Sequence, residues 1–236
     1  MTLLKIQQFS CGFAGKKVLN QIHLSINDGQ VVSILGSNGA GKSTLLKCIL
    51  GLIDQAAQLD GDIEILGHSV LRQPLLARQQ LAYVPEQPAV YGHLSAIENL
   101  RYFLSLSHIS TTKSLEDYLS QVGLAQEAWQ RPCSKYSKGM KQKVMLALAI
   151  AKNAKLLLMD EPNSGLYPSA TEELNQLILK CKNNGMAVLV VTHDVLSAIS
   201  ISDQLYMLAN AQLQAASIDQ ATLTVDSLKR LYQGQA

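Results

Sequence analysis

The sequence predicts an α/β fold in which helices wrap a parallel sheet, with an antiparallel β region at the N-terminal side and an inserted helical lobe. Three observations predict it. Short apolar runs alternate with segments of helical period. One of those runs passes into a helix through a glycine-rich loop at residues 36–44. From about Leu94 to Lys152 the strand signals give way to helical periodicity alone.

Taken in order, Leu3 to Phe9 and Val18 to Ile26 read as strands, and Asn27-Asp28-Gly29 is a turn. Val31-Val32-Ser33-Ile34-Leu35 is a β-branched, buried strand. After the loop, Leu45, Leu46, Ile49 and Leu50 recur at helical spacing. Gly61 to Gly67 is a glycine-bounded strand, and Leu81-Ala82-Tyr83-Val84 is another, stopped by Pro85 and Pro88. The helical lobe carries Ile97, Leu100, Leu104 and Leu106 in one segment and Tyr118, Leu119, Val122 and Leu124 in the next. Leu156 to Met159 returns to strand. A helix containing Leu174, Leu177 and Ile178 stops at Asn183-Asn184-Gly185, and Met186 to Val191 is a buried strand. A hairpin at Leu205 to Leu208 and Leu213 to Ala216, turned by Asn210-Ala211-Gln212, precedes a short helical tail to Tyr232. The expected organisation is one domain over residues 1–236: an α/β core of 1–88 and 153–216, a helical lobe of 89–152 and a tail of 217–236.

Composition narrows the function. Twenty basic residues face eighteen acidic ones with no Lys/Arg block, so no nucleic-acid partner is expected. The longest apolar runs fall far short of the roughly twenty residues that cross a bilayer. The N-terminus shows no charged leader with a long apolar core, which sets a cytosolic expectation. Cys11, Cys48, Cys133 and Cys181 are scattered, without metal-type spacing, and read as reduced structural thiols.

Gly36-Ser37-Asn38-Gly39-Ala40-Gly41-Lys42-Ser43-Thr44 satisfies the phosphate-loop pattern Gly-x4-Gly-Lys-Ser/Thr in full. Its glycines let backbone N–H groups turn inward around a β-phosphate. Lys42 supplies a cation to the β- and γ-oxygens, and the Ser43 hydroxyl is a ligand for Mg²⁺. The helix that starts there points its positive end at the phosphates. The chain is therefore expected to bind a nucleoside triphosphate.

Asp160 and Glu161 end the strand Leu156 to Met159, and adjacent carboxylates there must diverge into two roles. Asp160 suits binding of Mg²⁺ through water, and Glu161 suits polarising the water that attacks a γ-phosphate. His193 follows the strand Met186 to Val191, placed to report a terminal phosphate. In Tyr136-Ser137-Lys138-Gly139-Met140, Ser137 caps a helix whose first N–H groups offer a second anion site.

This ordered set resembles the ATP-binding subunit of an ABC transporter, over nearly the whole chain. The resemblance implies a P-loop NTPase of ABC ATPase type with a RecA-like core sheet. In that likeness Gly36 to Thr44 is the Walker A loop, Leu156 to Glu161 the Walker B strand with catalytic Glu161, Tyr136 to Met140 the signature segment, and His193 the switch histidine. Phe13 takes the place of the aromatic that stacks on adenine. The resemblance further implies ATP and Mg²⁺ as ligands and a second ABC ATPase domain, whose signature residues Ser137 and Gly139 close the partner's ATP. It also implies separate transmembrane permease subunits and a place on the cytoplasmic face of the cytoplasmic membrane. The form of the signature resembles that of ABC-2 exporters. The alternatives are a soluble ABC-type ATPase acting on non-membrane partners, and a weakly hydrolysing binding subunit of an asymmetric heterodimer.

Three places depart from the family pattern. The signature has Tyr136, Lys138 and Met140 where leucine, glycine and glutamine are usual. In Val84-Pro85-Glu86-Gln87 either the loop register differs by one, making Gln87 the Q-loop residue, or the carboxylate of Glu86 replaces an amide near Mg²⁺. Tyr167, in Ser164-Gly165-Leu166-Tyr167, stands where aspartate is usual, and is expected to weaken coupling between two nucleotide sites or slow hydrolysis without abolishing ATP binding.

Overall fold

Strand β1 (Thr2–Phe13) and strand β2 (Lys16–Asn27) form a long antiparallel hairpin. Its two turn residues, Ala14 and Gly15, both have positive φ, as the tightest hairpin turns require. Strand β3 (Val31–Leu35) is buried along its whole length, Ser33 included, as befits a strand covered on both faces. Helix α1 (Lys42–Leu50) turns Leu45, Leu46 and Ile49 inward. It is followed by β4 (Gln58–Ile65), β5 (His68–Ser69), α2 (Pro74–Gln79) and β6 (Leu81–Val84).

The helical lobe contains α3 (Ala96–Leu106), α4 (Leu115–Gln121) and α5 (Lys138–Ala151). Capping boxes start the first two: Ser95 with Glu98, and Ser114 with Asp117. Ser137 caps the third. The chain then alternates as β7 (Leu156–Asp160), α6 (Pro168–Asn183), β8 (Ala187–Thr192), α7 (Val195–Ile201), β9 (Gln204–Ala209) and β10 (Gln212–Ala216). The computed structural model describes residues 1–216 except 55, 108, 110 and 112. The helical tail expected up to Tyr232 lies outside the described residues.

Two sheets result. One has four antiparallel strands in the order β2-β1-β4-β5; the other has six in the order β10-β9-β3-β8-β7-β6. The six-stranded sheet is parallel from β9 to β6, and only β10 runs antiparallel. Its two faces carry two cores. Leu156 and Leu158 of β7 and Leu189 and Val191 of β8 pack with α1, β1 and β2. Leu157, Met159, Val188 and Val190 point the other way, into a core with α3, α4, α5 and α6. The period-two alternation of side chains thus makes β7 and β8 the shared wall of both cores.

The structure corrects the expected pattern at four places. The strand expected at Gly61 to Gly67 begins earlier, at Gln58, and Gly61 lies inside it. A Cβ there would sit 2.5 Å from the Gln8 carbonyl, and φ is +83°, so the residue serves a bulged close approach to β1 rather than a strand boundary. Leu106 is 60% exposed, so α3 buries Ile97, Leu100 and Leu104 without it. The helices α2 and α7, of six and seven residues, span too few turns to show a period. Asn99, which the apolar pattern passed over, is fully buried. It accepts from Tyr91 N at 2.8 Å and donates to Tyr91 O and Ser95 O at 3.1 and 2.9 Å, which shapes the entry into α3.

Candidate active site

The carboxyl ends of β3, β7 and β8 lie side by side, because these strands are parallel neighbours. The site forms there. The loop after β3 cannot carry side chains at two of its glycines. A Cβ on Gly36 would lie 2.8 Å from the Leu208 carbonyl, and Gly41 has φ +106° with Val18 O 3.1 Å from where a Cβ would stand. No side chain caps α1 and its first turn holds no acid, so its N-terminal end is left to an outside anion.

Lys42 is 6% exposed. Its ammonium donates to Gly36 O at 2.6 Å and Ser37 O at 3.2 Å, and lies 3.3 Å from Glu161 Oε1. Glu161 is the centre of the arrangement. Its Oε2 accepts from the Thr192 hydroxyl at 3.0 Å and from the His193 backbone N–H at 3.1 Å, and lies 2.9 Å from His193 Nδ1. Burial alone pushes this carboxyl up. The hydrogen bonds from the His193 ring and backbone, the Lys42 charge and the Thr192 hydroxyl outweigh it, and hold the group below its ordinary range. The residue also has φ +44°, a left-handed backbone that glutamate rarely adopts.

Asp160 diverges from Glu161, as adjacent carboxylates at a strand end must. It faces the Ser43 hydroxyl at the start of α1, which favours its charged form. Burial raises the Asp160 carboxyl; the Ser43 hydroxyl opposes this, while the charges of Glu161 and Glu86 add to it. The Tyr83 phenol lies beside Asp160 and is pushed up to about 12, chiefly by burial and then by the Asp160 charge.

A cavity of about 250 Å³ opens over these groups, walled by Ser37, Asn38, Gly39, Gly41, Lys42, Ser43 and Thr44 on one side and by Glu86, Asp160 and Glu161 on the other. A second hollow of about 550 Å³ adjoins it. Ala40, Lys16, Lys17 and the β9–β10 turn line this one, with Val18, Ser37, Asn38 and Gly39 shared between the two. Among the described residues, no group of three or more His, Cys, Asp or Glu is arranged to hold a metal by itself.

The expected site residues separate into those gathered here and those that are not. Gly36 to Thr44, Asp160, Glu161 and His193 come together. Phe13 ends β1, half-buried against the adjoining core, and is not among the residues lining either hollow. Between the two registers of the segment after β6, Glu86 lines the cavity, while Gln87 is exposed and does not. Ser137 and Gly139 are elsewhere on the chain, along a separate cleft between α5 and α6. Sequence reasoning missed Thr192 and Tyr83. A polar residue closing the apolar run of β8 was the available signal for the first, and the shared face of Tyr83 and Leu81 for the second.

The segment that follows Glu161 is gripped from two sides. Lys138 Nζ donates to Ser164 O at 2.6 Å, and the Ser164 hydroxyl donates to Glu86 Oε1 at 3.1 Å. The buried Gln142 amide also donates to Pro162 O. Tyr167 begins α6 as an 82% exposed N-cap whose side chain caps nothing.

Comparison with known proteins agrees with this geometry. Residues 19–164 match the sequence model of the ABC transporter family. The lantibiotic transport ATP-binding protein SrtF of Streptococcus pyogenes is 32% identical over 191 residues, covering 81% of this chain and 80% of SrtF. The lipopolysaccharide export system ATP-binding protein LptB of Haemophilus influenzae is 26% identical over 240 residues, covering 100% of this chain and 98% of LptB. A solved structure described as the ATP-binding subunit of an ABC transporter superposes with a TM-score of 0.83 at 30% identity, covering 97% of this chain and 98% of its own.

Proposed function

This chain belongs to the ABC transporter family as an ATP-binding, ATP-hydrolysing subunit, and we propose that it drives an exporter. On this reading it sits at the cytoplasmic face of the membrane, held there by separate transmembrane permease subunits, and works paired with a second ATPase domain. Among the described residues no helix is long and apolar enough to cross a membrane. The likeness to LptB, which serves a lipopolysaccharide export system, supports the export direction.

The observation that carries the hydrolytic assignment is the convergence of Lys42, Glu161 and His193 within 3.3 Å contacts. Lys42 and the loop N–H groups grip the β- and γ-phosphates. Glu161, kept ionised by its surroundings, accepts a proton from water and aims it at the γ-phosphate. His193 reports whether that phosphate is present. The Ser43 hydroxyl and the Asp160 carboxylate, with Glu86 beside them, are hard oxygen donors and fit Mg²⁺. The ion, when bound, neutralises charge on the β- and γ-oxygens.

Phe13 takes the adenine-stacking role and Ser137 and Gly139 the closure of the partner's ATP. The separation of Ser137 and Gly139 from the cavity within one chain is what a site completed across a dimer requires. The part first given to Gln87 passes to Glu86, whose carboxylate faces the cavity. The division into a core of 1–88 and 153–216 and a helical lobe of 89–152 follows the same reading.

Purification from detergent-solubilised membranes tests the transporter assignment. The chain is expected to co-elute with a polytopic membrane protein, in a complex that hydrolyses ATP faster than the chain alone. Recovery only with soluble partners would establish the non-membrane alternative.

Tyr167→Asp tests the departure at α6. Aspartate is a preferred N-cap, so the variant is expected to gain about 1 kcal/mol in denaturant unfolding. If Tyr167 also weakens communication between two sites, ATPase rate and cooperativity rise with it. An unchanged rate and cooperativity would reduce the role of Tyr167 to a missing cap.

A further inference from the structure

Strand β6 delivers one polar group that the roles above leave unused. Side chains alternate between faces along a strand. Leu81 and Tyr83 share the face that packs with α1 and the antiparallel sheet, and on β7 that face belongs to Leu156 and Leu158. Leu158 is the register partner of Tyr83. Asp160, two residues further along β7, is therefore the diagonal neighbour of Tyr83, and an aromatic side chain is long enough to reach such a neighbour. The Tyr83 hydroxyl stands next to the Asp160 carboxylate, close enough to feel its charge. An ionised carboxylate only accepts, so in a bond between the two the phenol is the donor. Asp160 thus stands between two hydroxyls that come from different elements, Ser43 of α1 and Tyr83 of β6.

We propose that Tyr83 is a positioning residue for the divalent-cation site, its hydroxyl holding the Asp160 carboxylate in one orientation before the ion arrives. The inference rests on the reading of Asp160 as part of that site. A carboxylate free to rotate loses that freedom on meeting an ion, whereas one already bonded on two sides has lost it in folding. The ring is half-buried among apolar neighbours, so the donor is fixed as well as present. A serine on β6 has the donor without the length, and a phenylalanine the length without the donor.

Mn²⁺ provides the probe, because free and protein-bound ion differ in their paramagnetic resonance signal. Titrations with Mn²⁺ in the presence of ADP compare the full wild-type chain with Tyr83→Phe and Asp160→Asn, and ADP affinity in EDTA is measured in parallel. Tyr83→Phe keeps the ring and removes only the hydroxyl. It is expected to raise the apparent Mn²⁺ dissociation constant about tenfold, the lower end for loss of an outer-shell partner, with ADP binding in EDTA unchanged. Asp160→Asn is expected to weaken Mn²⁺ at least as much. Wild-type Mn²⁺ affinity in Tyr83→Phe beside a weakened Asp160→Asn overturns the role of Tyr83 and leaves the cation site standing. Wild-type affinity in Asp160→Asn overturns the cation site itself. An equal loss of metal-free ADP binding in Tyr83→Phe assigns the tyrosine to packing and also overturns the proposal.

Discussion

Glu161→Gln is expected to reduce ATP turnover by about a hundredfold to a thousandfold, the scale of losing a general base, while ATP binding becomes tighter. The geometry explains both halves. The amide oxygen still accepts from the Thr192 hydroxyl and the His193 N–H, so the side chain stays in place. What disappears is the basic lone pair that takes the proton from water. The negative charge 3.3 Å from Lys42 disappears as well, and that charge competes with the phosphates for the ammonium. The variant should therefore accumulate as an ATP-bound dimer, visible by size-exclusion chromatography at twice the 25.7 kDa of one chain. Turnover within a few-fold of wild type would remove Glu161 from the proton transfer.

Lys42→Ala is expected to lose nucleotide rather than chemistry. The ammonium is buried, and its partners are two backbone carbonyls and one carboxylate, which leaves it placed at the bottom of the loop. A charge-assisted contact to phosphate contributes about 3 kcal/mol, so ATP affinity should fall roughly a hundredfold. Calorimetry in EDTA isolates this loss from any effect on the metal. The substitution also removes a cation from Glu161, whose carboxyl should then titrate higher than in wild type. Wild-type affinity for ATP in this variant would mean that the loop N–H groups alone hold the phosphates.

The parts of the site that were legible in the sequence are those whose chemistry is local. The loop from Gly36 to Thr44 carries its pattern in nine consecutive residues, and β3 coincides with the short β-branched run that leads into it. Asp160 and Glu161 mark the end of β7 in the same way. Tyr83 and Thr192 were not legible, because their roles follow from which strand lies beside which: β6 against β7, and β8 against β7. The choice between Glu86 and Gln87 belongs to the same class. One residue of rotation after β6 decides which of them meets the cavity, and periodicity ends where the strand ends. Gly61 misled for a related reason. It reads as punctuation in one dimension and is a point of contact with β1 in three.

The alternation along β7 limits how this protein can vary. Odd and even positions of the strand face different cores, so a conservative exchange such as leucine for isoleucine disturbs one core and leaves the other alone. A single inserted residue is another matter. It would turn the side chains that follow it to the opposite core and would carry Asp160 away from Ser43 and Tyr83. The tolerance of this stretch is therefore to changes of identity and not of parity: Leu156 to Met159 can be exchanged one at a time for other apolar residues, but a five-residue strand cannot become one of six.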